Sequence, residues 1–412
     1  MTSTVATPVR SPDAIRADFP ALQRVHHGQP VGYFDGPGGT QVPTQVIDAL
    51  GDYLRYHNAN THWHYPTSQE TDALLTAARE AVADFLHCLP AEVAFGQNMT
   101  SLTFHLSRGL AREWRSGDVV IVTELDHHGN VGPWEAIAQE HRLELRRIPF
   151  RLESGTLDVE RVIEAIDDRT RLVAIGWASN ALGSITDVGT VCRTAAERGV
   201  TSFVDAVHSA PHLLPDVRAI GCDYLACSAY KFYGPHLGIL FGRAPLLQTV
   251  PVPKVRPAPN GIPERIESGT QNHEAIVGTR AAIDFLASIA PGPDRRAALV
   301  ASYDVLHERG RALLGRLWGG LAAIPRVRLF GPPPDAPRTP TVGFVVEGMA
   351  SSRVAEALAG HGLFASHGNF YAATVIERLG LGHEGLVRAG CACYTTDSEV
   401  DRLVAAMGVI AG

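Results

Sequence analysis

The stretch DYLACSAYKFYGPHLGILFGR, residues 223–243, decides how the rest of the chain is read. Two apolar runs, YLACS and LGILFG, flank a turn that contains Gly234 and Pro235, which predicts strand, turn, strand. Between the runs stands Lys231. It is one of only two lysines, with Lys254, against 34 arginines. Arg serves this chain almost everywhere a surface cation is needed. Arg cannot form an imine or act as a base near neutral pH, so a retained Lys is a candidate amine. Lys254 lies in the Pro-rich PVPKVRPAP and reads as a surface residue.

Working outward, apolar runs alternate with helical patterns. VAFG (93–96), DVVIVTELD (118–126), LELRRIPF (143–150), RLVAIGWAS (171–179) and TSFVDAVHSA (201–210) read as strands. Segments 101–114, 132–141, 158–167 and 188–198 between them read as helices. Continuous apolar strands alternating with helices predict an α/β fold with a mostly parallel sheet buried on both faces. From about residue 273 the pattern changes. Two long amphipathic helices (273–290 and 302–324) and a Pro-rich connection (331–340) precede a strand, helix, strand, helix series. This predicts a large domain over 21–272 and a smaller α+β domain formed by 273–412 with the N-terminal 1–20, itself read as a polar tail and short helix.

Composition bounds the function. With 412 residues, 45% hydrophobic and 19% charged, the chain is long and apolar enough to fold around a sizeable core. A net charge of −7 leaves no basic surplus for nucleic acid. No apolar run is long enough to span a bilayer, and the first residues carry no secretory h-region. Six scattered cysteines form neither a disulfide framework nor a zinc spacing. A cytoplasmic protein is expected, with no membrane or nucleic-acid partner and no metal.

Polar residues gather where the predicted strands end. Asp126, His127, His128 and Asn130 follow one strand, and Ser179 and Asn180 another. Asp205 and His208 end a third, and Ser228, Tyr230 and Lys231 follow a fourth. Ligands in such sheets sit at the carboxyl ends of strands, so one site is implied. Asp205, 26 residues before Lys231, is an acid at the end of an apolar run and needs a partner. Pyridoxal 5'-phosphate (PLP) supplies one, because its ring nitrogen needs a carboxylate to stay protonated and act as an electron sink. A desolvated lysine amine supplies the Schiff base. A Rossmann oxidoreductase fails for want of a G-x-G-x-x-G turn.

YFDGPGGT, ELDHHGNVGPW, WASNALGSITDV, VDAVHSAPH, CSAYKFYGPH, ESGTQNHEAIVG and VRAGCACYTTDSEVDRL together resemble the class V aminotransferase superfamily of fold-type I PLP enzymes. The likeness is to its cysteine desulfurase-like branch, over nearly the whole chain. It implies a seven-stranded-type sheet and a role for each matching position. Lys231 would carry the cofactor and remove the substrate Cα proton, Asp205 would pair with the ring nitrogen, and His127 would stack on the ring. Asn180 and His208 would lie near its phenolic oxygen. The Met99 backbone, Thr100, Ser228 and Tyr230 would hold the phosphate at a helix N-terminus. Gly269 and Thr270 would reach the phosphate of a neighbouring subunit, implying a homodimer with shared sites. Arg388 would clamp the carboxylate of an amino-acid substrate. Blander roles stay open: Asn180 and Thr100 as caps, Arg388 as a salt-bridge residue.

The resemblance breaks in one place. Desulfurases carry a nucleophilic Cys on a small-domain loop, but LFASHGNFYAATVIERLGL (363–381) has none. His367, Asn369, Phe370 and Tyr371 occupy that region, which makes Asn369 and Tyr371 candidates for substrate contact. Cys391 and Cys393 lie in a predicted strand and read as core. His62 and His64, around Trp63, are candidate substrate contacts or interface packing. The expected function is a desulfurase-like β-elimination lyase working without an enzyme persulfide. An aminotransferase is the alternative, and an amino-acid epimerase the third.

Overall fold

The computed structural model describes residues 8–412. The first seven residues of the expected N-terminal tail lie outside the described part. Seven strands make the main sheet: β1 (Val93–Gly96), β2 (Val119–Thr123), β3 (Glu144–Ile148), β4 (Thr170–Gly176), β5 (Thr201–Asp205), β6 (Tyr224–Ser228) and β7 (Gly238–Gly242). Their order is β1-β7-β6-β5-β4-β2-β3. Only β7 runs antiparallel, to both its neighbours. That follows from the short connection at 229–237, because a tight turn can only return the chain antiparallel. Strands β1, β2, β5, β6 and β7 are buried almost throughout, as a sheet covered on both faces requires.

A second, antiparallel sheet of four strands has the order β8-β9-β11-β10, from β8 (Val327–Phe330), β9 (Thr341–Val346), β10 (Ser366–Gly368) and β11 (Leu386–Gly390). The sequence reading has β9 and β11 but not β8 and β10. Both missed strands are short, half-exposed edges with no continuous apolar run. The strand expected to include Cys391 and Cys393 ends at Gly390, where Pro37 packs so closely that a side chain would overlap its ring.

The long helix Arg295–Ala322 starts seven residues before the expected position, because the Asp294 side chain caps it by accepting from the Ala297 amide. Its Leu299 and Tyr303 lie in the core of the main sheet, while Leu313, Leu314, Leu317 and Leu321 lie in that of the second. The helix His273–Ala287 is expected in the small unit. Its Ile276, Ile283 and Phe285 share the main-sheet core instead, as do Ile15 and Phe19. Arg16 reaches across to Glu399 in a two-pronged ion pair at 2.9 and 3.1 Å, tying the N-terminal helix to the last one. No helix among the described residues is long and apolar enough to cross a membrane.

Candidate active site

Four adjacent strands, β2, β4, β5 and β6, end on one cavity of about 670 Å³. Asp126, His127 and His128 enter it after β2, Asn180 after β4, Asp205 and His208 from β5, and Ser228, Tyr230 and Lys231 after β6. Met99 and Thr100, at the start of the helix Met99–Leu110, close one end, and Tyr371 from the second unit closes another.

Lys231 is buried, and its Nζ donates to the Pro37 carbonyl at 2.5 Å. Burial, helped by the Arg388 charge, lowers its amine to about 7, with Asp205 opposing. Neutral amine is therefore plentiful at physiological pH. Asp205 is buried too. One carboxylate oxygen accepts from the Val207 amide at 2.9 Å, and burial raises its pKa to about 6 despite Lys231 nearby. Asp126, beside it, is held by Thr123 (2.8 Å), the Gly176 amide (3.0 Å) and Asn130 (2.9 Å), and burial raises it to about 7. Gly176 must be glycine here, since a side chain would strike the Asp126 carboxylate at 2.7 Å.

His127 accepts from the Gly129 amide through Nδ1 at 2.9 Å, which leaves the proton on Nε2 and fixes the ring. Burial and the Lys231 charge lower its pKa to about 4, so the ring is neutral. His208 Nε2 meets Thr339 and Thr341 hydroxyls at 3.1 and 3.3 Å, while its Nδ1 is buried without a partner. Burial pushes its pKa well down. Asn180 donates through Nδ2 to the Phe370 carbonyl at 2.8 Å, and its Oδ1 is a second buried orphan. Orphaned buried polar atoms are costly, and a polar ligand would satisfy them. A depressed lysine, a buried carboxylate with an oxygen to spare and a flat neutral imidazole also suit a positively charged ring with an aldehyde. The residues present fit PLP.

Other sequence candidates sit differently. Met99 commits its amide to Ser228 Oγ at 3.1 Å, so a phosphate would meet the Ser228 hydroxyl and Thr100 before that amide. Arg388 is buried off the cavity wall. It donates to the Asn180 carbonyl at 2.9 Å, its Nε has no partner, and the Phe370 ring covers its guanidinium at 4.0 Å. Burial lowers it to about 9. Asn369 supports the loop by accepting from the Tyr371 amide at 3.0 Å. Thr270 lines a neighbouring groove of about 850 Å³ with His105, Arg108 and His236. Gly269, at φ +74, precedes it in the left-handed region. His62 and His64 are exposed and off the cavity, the His62 amide donating to Asp72 at 3.0 Å.

Sequence reasoning missed Phe104 and His236 on the wall, and the two threonines behind His208. His236 stacks on Tyr230 at 4.9 Å with planes 15° apart. Its place beside Gly-Pro was the available signal. Thr339 lies 131 residues from His208, and no local pattern could join them. None of the six cysteines lines the cavity. All are unpaired, and burial pushes Cys391 and Cys393 up to about 12.

A mostly parallel sheet with a buried lysine and a buried carboxylate at its strand ends is the arrangement of lysine-dependent PLP enzymes. More narrowly, residues 32–403 match the aminotransferase class-V family, and the chain belongs to it. A probable cysteine desulfurase of Xylella fastidiosa (strain 9a5c) is 32% identical, over 98% of this chain and 97% of the relative. A cysteine desulfurase of Dickeya dadantii (strain 3937) is 30% identical, over 96% and 95%. Among solved structures, the apo cysteine desulfurase of Thermococcus onnurineus NA1 superposes with a TM-score of 0.87 at 27% identity, over 99% of both chains. The cysteine desulfurase CsdA of Escherichia coli, in an S-sulfonic acid form, gives 0.83 at 27%, over 97% and 98%. The protein is a PLP-dependent enzyme of fold type I.

Proposed function

We propose that this enzyme is a C–S β-lyase, which cleaves a cysteine-derived amino acid by elimination and forms no persulfide on its own thiols. The observation that carries this is an intact Lys231, Asp205 and His127 around one cavity that no cysteine reaches. The curated relatives named cysteine desulfurases support the substrate class.

When bound, PLP supplies an electron sink for the charge left at the substrate Cα. The chain's residues do the rest. Lys231, about half neutral near pH 7, would accept the Cα proton. Asp205 would hold a proton on the ring nitrogen, and a cation there would relieve its buried charge. His127 offers a neutral face to the ring. His208, whose Nδ1 is buried without a partner, would offer that nitrogen to the ring's phenolic oxygen. Thr100, Ser228 and Tyr230 take the phosphate, and the helix N-terminus favours its charge. Arg388 takes the substrate carboxylate once Phe370 moves off its guanidinium. Tyr371 would bound the leaving-group side, with Asn369 supporting its loop.

A homodimer belongs to the same proposal. Ile47, Leu54, Tyr56, Trp63 and Tyr65, all within residues 47–65, are large and exposed, and we take this segment as the interface. The groove beside Thr270 would receive a partner, and His62 and His64 lie on the same exposed segment. We place the boundary of the two units within the helix Arg295–Ala322, which enters both cores. Cytoplasmic residence is part of this reading, supported by six unpaired cysteines. Product analysis tests the function: keto acid, ammonia and a released thiol are expected from S-substituted cysteines.

A further inference from the structure

Elimination needs a part that the proposed machinery does not provide. A thiolate leaving Cβ is a base, and its departure is assisted by an acid close to the sulfur. Thr100, Ser228, Tyr230 and His208 are assigned to the cofactor above, and several other polar groups on the cavity wall are committed within the protein. Asp126 accepts three hydrogen bonds, and His128 Nε2 meets Thr374 at 3.2 Å. His127 is fixed by Gly129, and Ser228 receives the Met99 amide.

Tyr371 stands at the cavity mouth. It is 73% exposed, its hydroxyl makes no hydrogen bond among the described residues, and its ring lies 5.5 Å from that of His127, tilted by 36°. Phe370 and Tyr371 both adopt left-handed backbone, at φ +54 and +57. Side-chain-bearing residues avoid this region, and such strain persists only where the surroundings enforce it, typically at functional sites. The ties that enforce it are specific. The His128 amide donates to the Tyr371 carbonyl at 2.7 Å, and Asn180 to the Phe370 carbonyl at 2.8 Å. The first of these ties joins the loop to the cavity wall directly, because His128 follows the ring-facing His127. Asn369 accepts from the Tyr371 amide at 3.0 Å. The loop therefore uses strained backbone to place one phenol at the cavity mouth.

We propose that the Tyr371 hydroxyl is the acid that protonates the departing sulfur, an assignment that rests on the lyase reading above. Lys231 takes the proton from Cα, and the electron pair left there ends in a Cα=Cβ bond as Cβ–S breaks. The sulfur leaves with the bonding pair and takes the phenolic proton, and water later restores that proton to the phenolate. The sum is S-alkylcysteine and water giving pyruvate, ammonium and a thiol, with no oxidant or reductant.

The test compares leaving groups that do and do not need a proton. Tyr371→Phe keeps the ring and removes only the hydroxyl. The PLP-loaded wild type and variant are assayed with S-ethyl-L-cysteine, which expels a basic thiolate, and with β-chloro-L-alanine, which expels chloride. The expected result is a loss of about 100-fold or more in kcat/KM for S-ethylcysteine, a change within about threefold for β-chloroalanine, and an unchanged cofactor spectrum. Equal losses on both substrates, or no loss on either, overturn the assignment while leaving the lyase reading intact. A wild type that eliminates neither compound overturns the lyase reading, and the acid role with it.

Discussion

The amine of Lys231 rests on the carbonyl oxygen of Pro37, 194 residues earlier in the chain, at 2.5 Å. Pro37 in turn packs against Gly390, so the Gly/Pro turn of YFDGPGGT fits between the amine and the second sheet. The contact parks the amine in a buried place where its charged form is disfavoured.

One consequence concerns cofactor loading. With the amine lowered to about 7, a Lys231 that ionises freely in the apoprotein is mostly charged at pH 6 and mostly neutral at pH 8. Only the neutral form attacks an aldehyde, so the loading rate should rise about tenfold over that interval and then level off. Absorbance after mixing apoprotein with PLP reads this. A rate still climbing steeply above pH 9 would mean an ordinary lysine. Lys231→Ala should retain no cofactor after borohydride reduction, as read by intact mass.

Asp205→Asn keeps the shape of the side chain and its bond to the Val207 amide. It removes the charge that balances the ring nitrogen. Loss of a charge-assisted hydrogen bond costs about 1.5–3 kcal/mol, or roughly 10- to 100-fold in cofactor affinity. Dialysis against PLP-free buffer, followed by absorbance, measures it. Retention equal to wild type would remove Asp205 from the site.

The thiols give the third prediction. Cys391 and Cys393 lie around a separate small cavity with His212 and Arg309. Cys391→Ser and Cys393→Ser should each keep turnover within about threefold, because neither thiol reaches the reacting atoms. Each should lower stability by about 1–3 kcal/mol, the cost of a buried hydroxyl without a full set of partners. A persulfide trapped on either cysteine during turnover, by alkylation and peptide mass, would contradict the account.

Assembly is the fourth. Trp63 is 58% exposed on the segment taken as the interface. Trp63→Asp should shift sedimentation from dimer toward monomer and weaken cofactor retention, since Thr270 would then lack its partner's site. Wild-type protein that sediments as a monomer at micromolar concentration, with full activity, would refute the shared site.

Much of this was legible in the sequence because the signals are local. The apolar runs around β2, β5 and β6 give a parallel sheet, and the polar residues after them mark its functional edge. Lysine scarcity singled out Lys231. What escaped depends on contacts between distant segments. Phe370 covering Arg388 joins a loop to a strand, and no spacing rule foresees it. The helix His273–Ala287 has a periodic pattern that predicts a helix but not the core it enters. Its apolar face meets the helices Thr44–Asp52 and Pro66–Leu86, and this packing joins it to the main-sheet layer. The edge strands β8 and β10 are too short and too exposed to stand out.

The central claim is elimination at a lysine-bound cofactor, and product analysis tests it most directly. PLP-loaded enzyme is given L-cysteine, its sulfoxides and larger S-conjugates, and the cofactor spectrum is followed throughout. Pyruvate, ammonia and a released sulfur species are expected in equal amounts, with the spectrum returning to its starting form. Conversion of the bound cofactor to the pyridoxamine form, restored by added keto acid, would contradict the central claim and make the enzyme an aminotransferase.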